Sequence, residues 1–454
     1  MTRIAVGYYC SYYLKVSITK TSFNLEMINI YFASACPREQ SAFIILIFFL
    51  LNRMRAQDTT QHIVPGRVNS SNQLKKPYVI LISADGFRYD LAEKYQAKNL
   101  LKFRDQGVQA EYMLASFPSL TFPNHYTIVT GLYPAHHGLV DNSFYDPSRN
   151  EYYSLGKKSA VEDSSWYGGT PLWVLAEQEN MLTASSYWVG SEAAIQGVRP
   201  TYYYKFSNLI RIDNRIRAVH DWLALPEEKR PHLILFYIRD VDHQEHLHTV
   251  DSKETEKAVH FVDESIAKLV STVNSLHLPV NYIFLSDHGM MTIDADYPIG
   301  LPPALDTTQF RIENSSTLVH LYAYHQKDIL PASIALKSQA VDYDVFLADE
   351  LPPEWHYSKM DDRYNRIGDI ILVSHPPKVF NFRKGRLNPA THGFDPALKE
   401  MHATFYAWGP NFKKHLEIPP FENIHVFPLV AKILRLPYSD QIDGRLLVLR
   451  KTLK

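Results

Sequence analysis

Carboxylates and imidazoles recur in short motifs along this chain. Asp85 stands in SADGFR, Asp242 and His246 in RDVDHQEH, Asp287 and His288 in LSDHGM, and His392 in THGFDP. Carboxylate and imidazole donors without thiolate suit zinc and other borderline divalent cations. The D-x-x-x-H spacing puts Asp242 and His246 on one face of a helix or tight turn, within reach of one ion. His243 and His248 are close by, and only one of these imidazoles need serve. Asp287 and His288 are adjacent, so they share an ion only if the backbone bends, which Gly289 would permit. A further histidine is needed to complete two sites. His392 is the best candidate, in a loop flanked by Gly and Pro, with Asp395 as a partner behind it.

A nucleophile candidate lies in FPSLTFPNHYTIVTGLYPAHHGLVDN, residues 117–142. Thr121 precedes Phe122-Pro123 and a helical run. A hydroxyl at a helix N-terminus meets unpaired N–H groups and positive dipole density, a place suited to a phosphate anion. Taken alone, Thr121 reads better as a helix cap. Beside a divalent cation, its hydroxyl would become an attacking alkoxide near neutral pH.

These residues need a scaffold, and the apolar patterning supplies one. Tyr78–Ser83 (YVILIS), Leu233–Ile238 (LILFYI) and Asn281–Ser286 (NYIFLS) read as buried strands. Asp85, Asp242 and Asp287 each lie just past one of them. Helical spacing runs over Leu91–Phe103, over Pro123–Thr130, and through Ala258, Phe261, Val262, Ile266, Leu269 and Val270. Strands alternating with helices predict an α/β fold: a mainly parallel central sheet with helices on both faces. In such sheets, ligand sites form at the carboxyl ends of the strands. A single catalytic domain is expected over residues 76–450. Residues 292–389, less regular and rich in Pro and Tyr, read in part as an insertion beside the sheet.

The 454 residues carry 47 Lys+Arg against 48 Asp+Glu, which excludes a broadly basic nucleic-acid-binding surface. No stable nucleic-acid complex is expected. Cys10 and Cys36 are the two cysteines, so residues 76–450 have neither a disulfide framework nor a thiolate zinc site or nucleophile. Residues 1–56 read as a leader and 57–75 as a polar linker. Ala42–Leu51 (AFIILIFFLL) is too short to span a bilayer and matches the apolar centre of a secretory signal, with cleavage plausible near Ala56. Export to a periplasmic or extracellular location is expected, with membrane contact only through an uncleaved leader.

Taken together, TFPNHYTIVTGLYPAHHGLVDN, SADGFR, VDHQEH, LSDHGM and THGFDP resemble, in order, the motifs of the nucleotide pyrophosphatase/phosphodiesterase family of the alkaline phosphatase superfamily. The resemblance covers roughly residues 76–449. It implies an alkaline-phosphatase-like fold and two zinc ions, one held by Asp242, His246 and His392, the other by Asp85, Asp287 and His288. It implies Thr121 as ligand and nucleophile, passing through a phosphothreonine intermediate. Asn142 matches a phosphate-binding asparagine, and the Phe122 N–H is a second expected donor. Phe122 matches a residue that stacks on the substrate base, and Tyr203 is the expected opposite wall. The implied substrate is a nucleotide or other phosphodiester, a lipid diester included. One departure stands out: the family usually has Gly before the histidine of this motif, and this chain has Glu245.

Overall fold

The computed structural model describes residues 15–20, 26–31, 58–383, 385–439 and 441–454. The chain divides into two units, Met1–Gln57 and Asp58–Lys454. In the first, Lys15–Lys20 and Glu26–Tyr31 pair as antiparallel strands. The apolar stretch Ala42–Leu51 lies outside the described residues.

The strands of the second unit that position the site are, in chain order, β1 (Gln61–Ile63), β2 (Tyr78–Ala84), β3 (Val108–Ala110), β4 (Thr183–Ser186), β5 (Tyr202–Tyr204), β6 (Leu233–Ile238), β7 (Val280–Leu285), β8 (Phe310–Asn314), β9 (Leu318–Ala323), β10 (Tyr343–Leu347), β11 (Ile370–Ser374), β12 (Phe405–Trp408) and β13 (Leu416–Ile418). Nine of them form one sheet in the order β13-β3-β12-β7-β2-β6-β4-β5-β1. The five central strands, β7 through β5, are mutually parallel. β12 and β1 run antiparallel to their inner neighbours. The expected parallel sheet is therefore present at the centre and mixed at its flanks. An apolar run looks the same whichever way its strand is threaded, so the patterning is silent on this point.

Alternate residues of each central strand serve opposite faces, as the pleat requires. Val79, Leu81, Leu233, Leu235, Ile283 and Leu285 pack on one side with helices α2 (Thr121–Thr130) and α7 (Val426–Leu434). Ile80, Ile82, Ile234, Phe236, Tyr282 and Phe284 pack on the other with α1 (Lys98–Asp105), α3 (Ile212–Ala224) and α5 (Lys253–Asn274). Each such side chain, fully buried, contributes about 1.5–3 kcal/mol. The helical reading of 91–103 is interrupted: Leu91–Lys94 ends where Gln96 takes a left-handed φ of 54°, and α1 begins at Lys98. In α5, Phe261 is 37% exposed rather than part of the core stripe.

Strands β8 to β11 make a separate antiparallel sheet in the order β8-β9-β11-β10. One of its faces buries Val319, Leu321, Ile370 and Leu372 with Leu336 of α6 (Ile329–Gln339). The other turns Leu318, Ile371 and Val373 into the core that holds α2.

Candidate active site

Register brings the acidic residues together. Leu285 pairs with Ser83 and Ile238 with Ala84, so three adjacent parallel strands end at one level. Asp85 follows β2, Asp287 and His288 follow β7, and α4 (Asp240–His248) starts two residues after β6. Gly86 lets α4 approach. Its φ is +68°, and a Cβ there would lie 2.9 Å from the Asp242 Cα. Met291–Thr292 pairs with Ala390–Thr391 and draws the His392 loop to the same rim. Gly289, expected to permit a bend, has a different role: it leaves room for the Glu400 carbonyl against its backbone.

The side chains converge. His288 Nε2 lies 3.0 Å from Asp287 Oδ2, 3.6 Å from Asp85 Oδ1 and 3.1 Å from Thr121 Oγ1. Asp242 Oδ1 is 3.3 Å from His246 Nε2 and 3.7 Å from His392 Nε2. The His288 and His392 rings stack at 3.7 Å between centroids. Two triads have ligand atoms within 4.8 Å of one another: Asp85, Asp287 and His288, and Asp242, His288 and His392. His246 reaches the second triad through Asp242. His243 and His248 point to solvent, so the choice among the helix's imidazoles falls on His246.

Each of the three histidines hydrogen-bonds a backbone carbonyl through Nδ1: His246 to Ala390, His288 to Gly289 and His392 to Ser119, all at 2.9 Å. A carbonyl only accepts, so each Nδ1 carries the proton and each Nε2 offers a lone pair inward. Ser119 O thus fills the place expected for Asp395, whose carboxylate caps the Ala397 N–H instead. Asp85 Oδ1, Asp242 Oδ1 and Asp287 Oδ2 are buried without hydrogen-bond donors. Inward lone pairs and unpartnered carboxylate oxygens in one cluster fit divalent cations, which would satisfy them together.

The electrostatics carry the same message. Burial, then Asp287 and Asp242, push Asp85 well above the usual carboxylate range. Burial alone would raise Asp287, but His288 and His125 hold it well below that range. Burial and the neighbouring His288 push His392 down to about 3.

Thr121 opens α2, yet the cap position belongs to Leu120, with no side-chain capping bond. The Thr121 hydroxyl turns instead to His288. Asn142 Oδ1 accepts the Phe122 N–H at 2.9 Å. That bond engages the backbone donor expected to face the phosphate. It also fixes the amide flip, leaving Asn142 Nδ2 as the donor end of the amide.

A sequence profile of the type I phosphodiesterase/nucleotide pyrophosphatase family matches residues 79–395. The chain belongs to this family. It is 33% identical to rat ectonucleotide pyrophosphatase/phosphodiesterase family member 3 over 377 residues, 80% of this chain and 42% of that protein. It is also 33% identical to a venom phosphodiesterase of Crotalus durissus collilineatus over 372 residues, 79% of this chain and 44% of the relative. The chain thus spans under half the length of these relatives. Murine ectonucleotide pyrophosphatase/phosphodiesterase 5, in an inactive threonine-to-alanine form complexed with AMP, superposes with a TM-score of 0.78 at 26% identity, covering 84% of this chain and all of that one. The human counterpart gives 0.78 over 83%.

Within this phosphodiesterase fold, sequence reasoning missed His125. It lies one helical turn from Thr121, fully buried. Its Nδ1 is 3.1 Å from Asp287 Oδ2 and 2.9 Å from Thr121 O, and its Nε2 is 2.8 Å from Ser83 Oγ. Its i, i+4 spacing from Thr121 puts it on the same helix face but does not by itself mark a role. Tyr237 was also missed; its hydroxyl donates to Asp85 Oδ2 at 2.5 Å. Tyr203, expected as a substrate wall, is 8% exposed and stacks on His62. Phe206, just past the strand, is instead 44% exposed and lines a cavity of about 520 Å³ with Tyr187, Tyr237 and Asp240. Phe122 is half-buried beside Tyr153. Glu245 is wholly buried with neither oxygen hydrogen-bonded, and burial beside Asp242 pushes its carboxyl well up.

Proposed function

We propose that this chain hydrolyses phosphodiester or pyrophosphate bonds in nucleotides or closely related substrates, with Thr121 as the nucleophile. One observation carries the reading. Three imidazoles with backbone-bonded Nδ1 atoms and three carboxylates with unpartnered buried oxygens gather at one rim, where the Thr121 hydroxyl lies 3.1 Å from His288 Nε2.

Asp85, Asp287 and His288 would hold one divalent cation, and Asp242, His246 and His392 a second; zinc suits both donor sets. When bound, such cations supply positive charge that acidifies a nearby hydroxyl and neutralises phosphate. Thr121 Oγ1 attacks phosphorus, forming a phosphothreonine as the bond to the leaving oxygen breaks. Water then cleaves that ester and regenerates the hydroxyl. Asn142 Nδ2 donates to a nonbridging oxygen, where charge accumulates in the transition state. Phe122 and Phe206 offer aromatic faces for a base or other planar leaving portion.

A diester fits better than a monoester. The dianionic group needs a further cation, and the Tyr237 phenol already occupies the second oxygen of Asp85. The relatives' names, ecto-enzyme and venom enzyme, support export. No described helix is long and apolar enough to cross a membrane.

Thr121→Ala is expected to retain its cations by elemental analysis. It should lose nitrophenyl-nucleotide diester turnover by about a thousandfold or more. Substantial residual turnover would remove Thr121 from its role. Chelation should silence the parent protein and zinc restore it, with nitrophenyl phosphate a poor substrate throughout.

A further inference from the structure

Asn142 sits in a segment gripped from the side of the second sheet. Asp141, its neighbour, is completely buried. Asp141 Oδ1 accepts from the Ser143 N–H at 3.0 Å and from the Ser315 hydroxyl at 2.6 Å, so it closes a turn around the Asn142 peptide. Asp141 Oδ2 has no hydrogen-bond donor, and His320 Nε2 faces it at 3.6 Å. His320 is fully buried on β9, and its Nδ1 accepts the Gly368 N–H at 3.1 Å. Its proton is therefore on Nε2, directed towards Asp141 and the Tyr357 hydroxyl, which lies 3.5 Å away. Tyr357 in turn donates to Val140 O at 2.6 Å. The two residues that precede Asn142 are thus tied to Ser315, His320 and Tyr357, all from residues 310–374.

A contact needed only to glue two sheets together is made more cheaply with apolar groups. Buried ionisable pairs typically add little stability over well-packed hydrophobic replacements. Leu318, Ile371 and Val373 already provide such packing here. The polar cluster lies instead beside Asn142, whose side chain accepts the N–H of Phe122, the neighbour of Thr121, and is proposed above to donate to the phosphate.

We propose that Asp141, Ser315 and His320 are positioning residues for Asn142, through which the four-stranded sheet sets the aim of its amide. The inference rests on the phosphodiesterase reading above.

A double-mutant cycle on the full zinc-loaded chain tests it. Ser315→Ala removes one hydroxyl, leaving the core shape intact. In the Asn142 background it is expected to lower kcat/KM for a nitrophenyl-nucleotide diester about tenfold, mainly through kcat. In the Asn142→Ala background the loss should shrink to about twofold or less. His320→Gln should repeat the pattern; if it does not fold, Ser315→Ala decides alone. Equal losses in both backgrounds, or none in the first, overturn the proposal.

Hydrogen exchange at the Phe122 amide gives a readout without turnover. Its protection rests on Asn142 Oδ1, so exchange should accelerate in Ser315→Ala, and an unchanged rate overturns the proposal. Should the parent chain cleave no diester, the phosphodiesterase reading fails, while the exchange rates still decide whether Ser315 orients Asn142.

Discussion

His125 touches three groups: its Nδ1 donates to the Thr121 carbonyl and lies 3.1 Å from Asp287 Oδ2, and its Nε2 bonds Ser83 Oγ. A proposed ligand such as the Asp287 carboxylate keeps its orientation when the side chain packed against it is fixed, and losing such a support typically costs about 10–100-fold in metal affinity. If the proposed site is loaded with zinc, His125→Leu is expected to weaken its retention by about that factor in competition with a chelator, with the fold intact by circular dichroism. Unchanged affinity would reduce His125 to packing. Asp85, Asp242, His246, Asp287, His288 and His392 could be picked out in the sequence because their donor types recur beside strand ends. His125 could not, since nothing in TFPNHYT distinguishes a histidine that lies against a carboxylate from one that only fills the core. Tyr203 misled for the same reason. Three consecutive tyrosines on a strand alternate in direction, and which one faces a cavity depends on neighbouring strands that the local sequence does not specify.

At the level of elements, the hairpin of residues 143–154 and the loop before β11 are locked by one cation. Arg366 is 2% exposed. Its Nε donates to Asp146 Oδ2 at 2.9 Å, and its Nη1 donates to Gly138 O at 2.9 Å and Trp166 O at 2.7 Å. Removing one member of a buried pair strands the other in a medium that solvates it poorly. Arg366→Met should cost about 3–5 kcal/mol in denaturant unfolding, and Asp146→Leu in addition should recover part of that loss. No recovery in the double variant would point to the carbonyl bonds as the larger contribution. The central strands were read in the sequence to within a residue at either end: 78–83, 233–238 and 281–286 against 78–84, 233–238 and 280–285. Continuous apolar runs announce burial on both faces. Clamps such as Arg366–Asp146 join residues far apart in the chain, and no periodicity encodes them.

For the whole molecule, acid should be more damaging than the near-neutral charge balance suggests. His425 is 8% exposed, and burial, assisted by Arg445, pushes it down to about 4. Burial likewise pushes His137 down to about 3. In the unfolded chain both take up a proton near 6.5. Between that value and about 4 the unfolded state binds more protons, so stability falls as the pH falls through this window. His425 alone would account for about 3 kcal/mol of that loss at most. The melting temperature should drop from pH 7 to pH 4, and His425→Gln should flatten the slope, since Gln can still accept the Arg445 N–H. An unaltered slope would place the acid sensitivity elsewhere. The strand order puts the first proposed ligand, Asp85, and the last, His392, on one rim although most of the chain separates them. A nascent polypeptide that has made Asp85 and Thr121 still lacks the histidine that completes the second donor set. The proposed donor sets can close only after His392 has been made, so a translocated chain would take up its divalent cations in the compartment where it folds rather than in the one where it was made.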